Sequence, residues 1–402
     1  PVALQAQETL SGRALYDSIK KFELTGGTAK VNNLAVKRDR VEMTFTGTFY
    51  FAAPVNGRVF GAVFLGQGTF RAEAPPSNFE KDNLRRLLKA DVLEADFGTA
   101  VLRFSDDTFH LIGQGAGGGE AMPEATKLAA EFEPRLRKET GANLSARLAV
   151  SVLNGEQPGF FAAEFDQGRR GRFAFLMDQQ GRTPVSAFAI NGGEKGLVFA
   201  YRRDFLGIDV WMAFYSLADY QRRRAQYSDA FDLIGVERYA MEADVREPKK
   251  AVKLRARLNL VAIANGIRAV PFDVNDGLSV RDDQRLKKAM RLKGARFVQG
   301  AEIEAVQEDW ETGLTVFLPA SLNRGEKSFI EISLEGDFLY DVQAFPNGHY
   351  PLSNTSWYPR HGYLNRSAFD ITFYHHKRQR IASMGARVRE EADPEDKDGM
   401  IT

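Results

Sequence analysis

The fold is decided by residues 236–280, "VERYAMEADVREPKKAVKLRARLNLVAIANGIRAVPFDVNDGLSV". Apolar and polar side chains alternate before and after a turn at residues 247–250, and another alternating run follows the glycine break at Gly266. A period of two is typical of strands that bury one face, so these runs predict three β-strands. Residues 313–337, "GLTVFLPASLNRGEKSFIEISLEGD", predict two further strands, and we expect an all-β domain here.

The chain before this domain contains helical patterns. In one of them, Ser77 and Glu80 have the spacing of a capping box, and Leu84, Leu87 and Leu88 form an apolar face. Helices are predicted for 7–27, 75–89 and 122–140, the last of them running to Gly141.

Strand patterns occupy much of the remainder. The run "VEMTFTGTFYF" (41–51) alternates apolar with polar residues, as a half-buried strand does. Strands are also predicted for "DTFHLIG" (107–113) and for "LSARLAVSVLN" (144–154), which opens a long all-β stretch. Residues 218–232 are polar and aperiodic, so they are predicted to be a linker.

The predicted fold class is mainly β with a few helices, in two β-rich domains. Length supports two domains, because 402 residues exceed one ordinary core. We expect an α+β domain of unknown role over 1–235, a saddle-like antiparallel β sandwich over 236–390, and a charged linker or tail over 391–402.

Composition excludes several classes of protein. The chain carries 54 basic and 53 acidic residues, without the positive excess that a nucleic-acid binder needs. No apolar run approaches the length of a membrane span. Cysteine is absent, which excludes disulfides, thiolate nucleophiles and Cys-ligated metals. The opening "PVALQAQ" has the small residues that end a signal peptide, so we expect a soluble periplasmic or secreted protein.

Motif-like segments predict no catalytic, cofactor or metal residue. "GQGAGG" (113–118) matches G-x-G-x-x-G, but the next helix is predicted to begin at Pro123, too late to hold a pyrophosphate. The acidic segments 273–277 and 394–399 lack the ligand spacing of an EF-hand and predict turns. None of the five histidines lies in H-E-x-x-H, and no G-x-S-x-G occurs.

The segment "HYPLSNTSWYPRHGYLNRSAFDITF" (349–373) concentrates aromatic rings in a stretch without a clear period. Such a backbone is stable only where neighbours bury the rings and bond the polar groups. The candidate domain-interface residues are Asn354, Trp357, Tyr358 and Tyr363. We expect Trp357 and Tyr358 to point to opposite sides of an extended segment. A long loop packed over its own sheet is the alternative.

From Val236 onward, the order of these phrases resembles the N-terminal β domain of the aminopeptidase N family of zinc metallopeptidases. "ERYAMEADVREPKKAVKLRARLNLVAI" is similar to that domain's opening pair of strands, and "SWYPRHGYLNRSAFDITF" to its W-[YF]-P…D-x-x-F crossover. The family's crossover carries Gln or Glu before an Ala-Arg pair, whereas this chain has Asn354-Thr355-Ser356-Trp357.

The resemblance implies a saddle-shaped β domain that is not itself the catalyst. It packs on a thermolysin-like zinc domain, which would be the chain's main partner, with a peptide substrate as a second one. We expect no cofactor in this chain and zinc only in a catalytic domain absent from it. The function predicted is thus the non-catalytic N-terminal region of a larger aminopeptidase-like metallopeptidase. A stand-alone β-sandwich module that binds peptide, glycan or a partner protein remains open, as does, more weakly, a self-sufficient hydrolase.

Overall fold

The computed structural model describes residues 9–182, 188, 192–203, 206–228, 232–248, 251–274, 290–337, 339–342, 348–351, 356–362 and 366–402. The chain divides into two compact units, Pro1–Phe231 and Asp232–Thr402. Both are β-rich, in agreement with the predicted fold class. None of the helices in the described ranges is long and apolar enough to cross a membrane.

Unit 1 is built on an eight-stranded antiparallel sheet whose strands follow one another in chain order. Its strands are β1 Thr28–Arg38, β2 Val41–Phe51, β3 Gly61–Glu73, β4 Val92–Phe104, β5 Phe160–Asp166, β6 Arg172–Asp178, β7 Gly196–Tyr201 and β8 Ile208–Phe214. Its helices are α1 Gly12–Lys21, α2 Asn78–Leu88, α3 Thr108–Ile112, α4 Pro123–Thr140, α5 Leu144–Leu153 and α6 Leu217–Gln221, with a 3-10 turn at Gly168–Arg170.

Phenylalanine dominates the core of unit 1, as the alternation in β2 predicts. Phe45 of β2 is fully buried and lies 5.0 Å from the ring of Phe64 and 5.5 Å from that of Phe97, on β3 and β4. Both contacts are edge to face, an arrangement that aromatic pairs favour. The sheet is therefore fixed by rings that interlock across neighbouring strands.

Two predicted strands of unit 1 are helices instead. Every residue from Leu144 to Ser151 is buried, so α5 shows no exposed face from which a helical period could be recognised. Its Asn143 accepts a hydrogen bond from the Ala146 N–H, which caps the helix. The other, Thr108–Ile112, is too short to display a period. The predicted linker also contains a short helix, α6, with a capping box from Ser216 and Asp219.

Unit 2 contains a mixed seven-stranded sheet in the order β12-β15-β10-β9-β18-β20-β19, a three-stranded sheet β11-β14-β13, and the pair β16-β17. The strands are β9 Ile234–Asp244, β10 Val252–Ala262, β11 Ile267–Asp273, β12 Arg291–Phe297, β13 Glu304–Val306, β14 Gly313–Leu322, β15 Lys327–Gly336, β16 Tyr340–Val342, β17 Gly348–Tyr350, β18 Ala368–His376, β19 Glu391–Ala392 and β20 Gly399–Ile401.

Two details of unit 2 differ from the sequence prediction. β18 lies parallel to β9, so the large sheet is mixed rather than antiparallel. Residues 391–402 do not form a tail: β19 and β20 pair with each other, and β20 pairs with β18, so this charged segment completes the sheet. Its turn is held by the Gly399 N–H, which donates to the Asp396 carbonyl oxygen at 2.8 Å.

The predicted capping box at Ser77 does not form, because Glu80 is bound elsewhere. The side chain of Ser77 makes no cap hydrogen bond. Glu80 is buried, and one of its carboxylate oxygens accepts the Ala213 N–H of β8 at 3.3 Å. Burial raises the pKa of Glu80 to about 7, opposed by that hydrogen bond and assisted by the charge of Glu194. Glu80, which the capping-box spacing assigns to the start of the helix, is therefore a buried carboxyl group instead.

Glu80→Gln is expected to stabilise the protein at pH 8 but not at pH 4.5. The folded state holds the Glu80 proton more tightly than the unfolded state does, so the ionisation penalty is absent below about pH 4.5 and complete above about pH 7. The gain at pH 8 should be about 1–3 kcal/mol, because each pKa unit corresponds to about 1.4 kcal/mol. Urea unfolding of both proteins at the two pH values measures it. An equal effect at both values would mean that ionisation of Glu80 does not matter.

Candidate functional site

Only two of the four candidate interface residues lie in the described part of the chain. Asn354 and Tyr363 fall outside it. Trp357 and Tyr358 are half-buried in a bend, and their rings meet edge to face with centroids 5.8 Å apart. Adjacent side chains of an extended strand would point away from each other. The expectation that the two rings face opposite sides is therefore wrong, because the backbone bends at this point.

Tyr358 joins the bend to the large sheet of unit 2. Its ring lies 5.2 Å from that of Tyr239 on β9 and 5.7 Å from that of Phe369 on β18, both nearly edge to face. Tyr239 and Phe369 stack on each other at 5.1 Å. We call Tyr239, Trp357, Tyr358 and Phe369 the crossover cluster. Burial raises the pKa of Tyr358 above its ordinary value, and the charge of Arg360 opposes this shift.

Hydrogen bonds hold the backbone on both sides of the cluster. The hydroxyl of Ser356 donates to the Tyr358 carbonyl oxygen at 2.7 Å, and that of Ser367 donates to the Val236 carbonyl oxygen at 2.5 Å. These bonds supply the polar partners that an irregular segment requires.

His361 joins the crossover to two other parts of unit 2. Its Nε2 accepts the Leu233 N–H at 3.0 Å, so Nδ1 carries the proton and donates to the Pro271 carbonyl oxygen at 2.8 Å. Both bonds together require the neutral ring. His361 is thus a structural residue of the crossover.

The crossover cluster lies at the incompletely covered end of the core face. Strand register places Ile330, Leu258, Tyr239 and Phe369 side by side on β15, β10, β9 and β18. The exposed fraction along this row is 0%, 0%, 3% and 45%. Two further β18 residues on the same face, Ile371 and Phe373, are half-exposed, although their β9 neighbours Met241 and Ala243 are buried.

The opposite face of the same sheet is charged. Glu331 of β15 is 2.8 Å from Arg257 and 2.6 Å from Arg296, and Arg238 pairs with Asp370 of β18. Such a face is compatible with water as its only neighbour. Phe329 of β15 is an exposed ring on this charged face, whereas the partly uncovered side chains of β18, Phe369, Ile371 and Phe373, lie on the face that the rest of the unit buries.

The remaining sequence candidates show no catalytic geometry. In the described ranges, no group of three His, Cys, Asp or Glu side chains could hold a metal ion. His375 is buried, with Nε2 2.8 Å from the Thr402 Oγ1, whereas His376 on the next position accepts the Arg378 N–H at its Nδ1. Helix α4 begins at Pro123, as predicted, away from the glycines of 113–118.

Sequence reasoning missed Tyr239 as a member of the cluster. Its period-two position on β9 predicts an inward side chain, but only the parallel pairing with β18 brings it to Phe369. A weak signal existed: among the core-facing residues Val236, Tyr239, Met241 and Ala243 of β9, it is the only aromatic one.

No protein-family model matches the chain, and none of the curated proteins matches it. Among solved structures, it is similar to an M1 zinc metallopeptidase from Deinococcus radiodurans, at 14% identity and a TM-score of 0.32, over 42% of this chain and 38% of that one. A point mutant of the Deinococcus radiodurans enzyme bound to a Tyr-Ser-Ala substrate gives the same values. The match thus spans about two fifths of this chain and of each metallopeptidase structure.

Tyr358→Ala is expected to cost about 2–4 kcal/mol of unfolding free energy in this chain. The change removes ring contacts to Tyr239 and Phe369 and leaves a gap against the sheet, at the low end of core aromatic truncations because the ring is half-buried. Tyr358→Phe keeps the ring and is expected to cost less than about 1 kcal/mol. Urea denaturation followed by tyrosine and tryptophan fluorescence compares them. A loss below about 0.5 kcal/mol for Tyr358→Ala would show that the bend does not anchor the sheet.

Proposed function

We propose that unit 2 acts as the non-catalytic N-terminal β domain of a zinc-dependent, aminopeptidase-like metallopeptidase. In this role it packs on a catalytic domain and shapes access to it. The order of the strand phrases in the sequence supports the proposal, together with the crossover that returns β18 beside β9. Zinc would belong to the catalytic domain, because H-E-x-x-H does not occur in these 402 residues.

The observation that carries the proposal is the incomplete burial of one face of β18. Phe369 is 45% exposed although the three residues beside it in the row are at most 3% exposed. Apolar side chains that continue a core face beyond its cover indicate a surface made for another domain. The charged outer face also exposes a ring, Phe329, but that ring lies in a row with Asn259 and Arg238 rather than at the end of a buried apolar row.

A partner bound at this face would also explain the crossover cluster. Tyr358 lies next to Phe369 and Trp357 lies next to Tyr358, so one docking domain would cover these rings together with Ile371 and Phe373. Burying half of an aromatic side chain contributes on the order of 1–2 kcal/mol, so several such rings stabilise a domain interface substantially. The crossover would thereby connect the β domain with the side from which substrate enters.

The coding frame tests the proposal directly. Downstream of Thr402 we expect H-E-x-x-H, followed at a distance by the glutamate that completes a zinc site. A stop codon immediately after Thr402 would contradict the proposal and favour a stand-alone binding module. Zinc analysis of the 402-residue chain is expected to show no stoichiometric metal, and the chain should not hydrolyse amino-acid p-nitroanilides. One tightly held zinc per chain, with activity lost on chelation, would contradict this part.

Phe369→Ala and Phe329→Ala form a matched pair for locating the docking face. The two rings are 45% and 47% exposed on the same sheet but lie on opposite faces. In the full-length product, Phe369→Ala is expected to cost about 1–2 kcal/mol more than in the 402-residue chain, because it also loses interface burial. Phe329→Ala should cost the same in both.

Differential scanning calorimetry of both variants and the unsubstituted protein, each in both forms, measures these differences. If Phe369→Ala costs the same in both forms, the exposed ring is not covered by the catalytic domain, and the proposed docking face is wrong.

A further inference from the structure

Unit 1 contains a cavity that the proposed function of unit 2 does not use. Its volume is about 680 Å³, within the range of small-molecule sites. Its floor contains the buried residues Ile19, Phe60 and Arg103, and its rim includes the exposed residues Lys21 and Asn56. About half of the lining surface is apolar, with Leu10, Phe22, Ala52, Ala53, Pro54 and Val55 among the lining residues, and Thr9, Ser18 and Glu23 also line the cavity.

The rim is fixed by hydrogen bonds. Asn56 accepts the Leu10 N–H at 2.9 Å and donates its side-chain amide to the Leu10 carbonyl oxygen at 2.8 Å. The Ala53 N–H donates to the Glu23 carbonyl oxygen at 2.7 Å. The walls are thus set before any ligand arrives, which lowers the entropic cost of binding.

The Arg103 guanidinium on the floor is fully buried and incompletely satisfied. Its Nε is 2.9 Å from a Glu133 carboxylate oxygen, and its Nη2 donates to the Ile19 carbonyl oxygen at 2.9 Å and to the Ser145 hydroxyl at 3.2 Å. Nη1 is buried and has no hydrogen-bond partner among the described residues. A buried donor without an acceptor costs free energy, so an acceptor delivered by a ligand is favoured there.

A second buried arginine in the same unit shows what Arg103 lacks. Arg147 contacts two carboxylates through its Nε and Nη2, Asp178 at 2.9 Å and Glu156 at 2.8 Å, and its Nη1, like that of Arg103, is buried without a hydrogen-bond partner among the described residues. Burial lowers the pKa of Arg147, but the two carboxylates outweigh it and leave that pKa raised. Arg103 has only Glu133, and burial leaves its pKa lowered. The electrostatic environment of Arg103 has room for one more negative charge.

Phe22 restricts access to this charge. Its ring lies 4.3 Å above the Arg103 guanidinium carbon, close enough for a cation–π contact. Gly61 gives the ring its room, since a Cβ there would lie 2.6 Å from a Phe22 ring carbon. Phe22 itself has a φ of 46°, a left-handed conformation that is unusual for an aromatic residue. Because Arg103 is fully covered, a ligand reaches Nη1 only when this ring turns aside.

We propose that this cavity binds a small organic carboxylate with an apolar body. The carboxylate accepts from Arg103 Nη1 and gives this arginine a second negative charge, and the apolar body lies against the side chains of the 52–55 wall. Lys21 and Glu23 at the rim carry opposite charges, so the preference for an anion depends on Arg103. Arg103 is a binding residue in this proposal, and no chemical step is assigned to it.

The test uses two ligands that differ only in charge, N-acetyl-L-phenylalanine and its uncharged amide. Isothermal titration calorimetry on the 402-residue chain is expected to give one site for the acid, with a Kd below about 1 mM for a ligand of this size. The amide should bind at least about tenfold weaker. Equal binding of acid and amide, or no saturable binding of either, would overturn the proposal.

Two variants and one control variant test whether the ligand binds in the cavity. Ala53→Trp fills the cavity without touching the Arg103–Glu133 pair and is expected to abolish binding. Ala218→Trp, on the exposed side of α6, is the matched control and should leave binding unchanged. Arg103→Lys should weaken the acid at least about tenfold and remove the preference over the amide. Because Arg103→Lys also removes buried hydrogen bonds that the fold uses, Ala53→Trp decides: retained binding in that variant means that the cavity is not the site.

Discussion

β18 lies parallel to β9, with Phe369 opposite Tyr239, and the rest of unit 2 follows from this pairing. Parallel neighbours cannot be joined by a hairpin, so the chain must cross the domain before it enters β18. The part of the chain between β15 and β18, which includes the pair β16-β17, makes that crossing. Residues 356–362 belong to no named strand, so this stretch depends on side-chain burial and specific hydrogen bonds. Ser356, His361 and Ser367 provide such bonds, and Tyr358 provides the burial.

The same pairing creates the surface that gives unit 2 its proposed role. A strand added beside β9 extends the core face by one row, but the cover of the core ends near Tyr239. The apolar side chains of β18 are therefore left partly uncovered, while the charged ladder on the other face needs no cover. The large sheet of unit 2 thus has one charged face that water can cover. At β18, its other face carries apolar side chains that another domain can cover.

Unit 1 depends on a different balance, that between phenylalanine packing and buried charge. Interlocking rings on β2, β3 and β4 exclude water, and this exclusion makes each buried ionisable group sensitive to its nearest partner. Arg147 has two carboxylates, Arg103 has one, and Glu80 has a neighbouring acid instead of a base. The three groups respond differently: the pKa of Arg147 is raised, that of Arg103 lowered and that of Glu80 raised to about 7. Arg103 and Glu80 lack a full complement of opposite charge. A bound anion would therefore change the environment of Arg103, and a bound proton that of Glu80.

The sequence by itself determined which segments bury one face. β2, β9, β10 and β15 follow their alternation, and α4 begins and ends at the predicted Pro123 and Gly141, because periodicity and terminal residues are local properties. It also singled out Trp357 and Tyr358. It could not identify α5, because a helix buried on all sides has no polar face to reveal its period. Only the tertiary structure decided that Glu80 bonds β8, that residues 391–402 complete a sheet, and that Tyr239 meets Phe369. These contacts join residues far apart in the chain, and their register is set by the packing of whole faces, which no local pattern encodes.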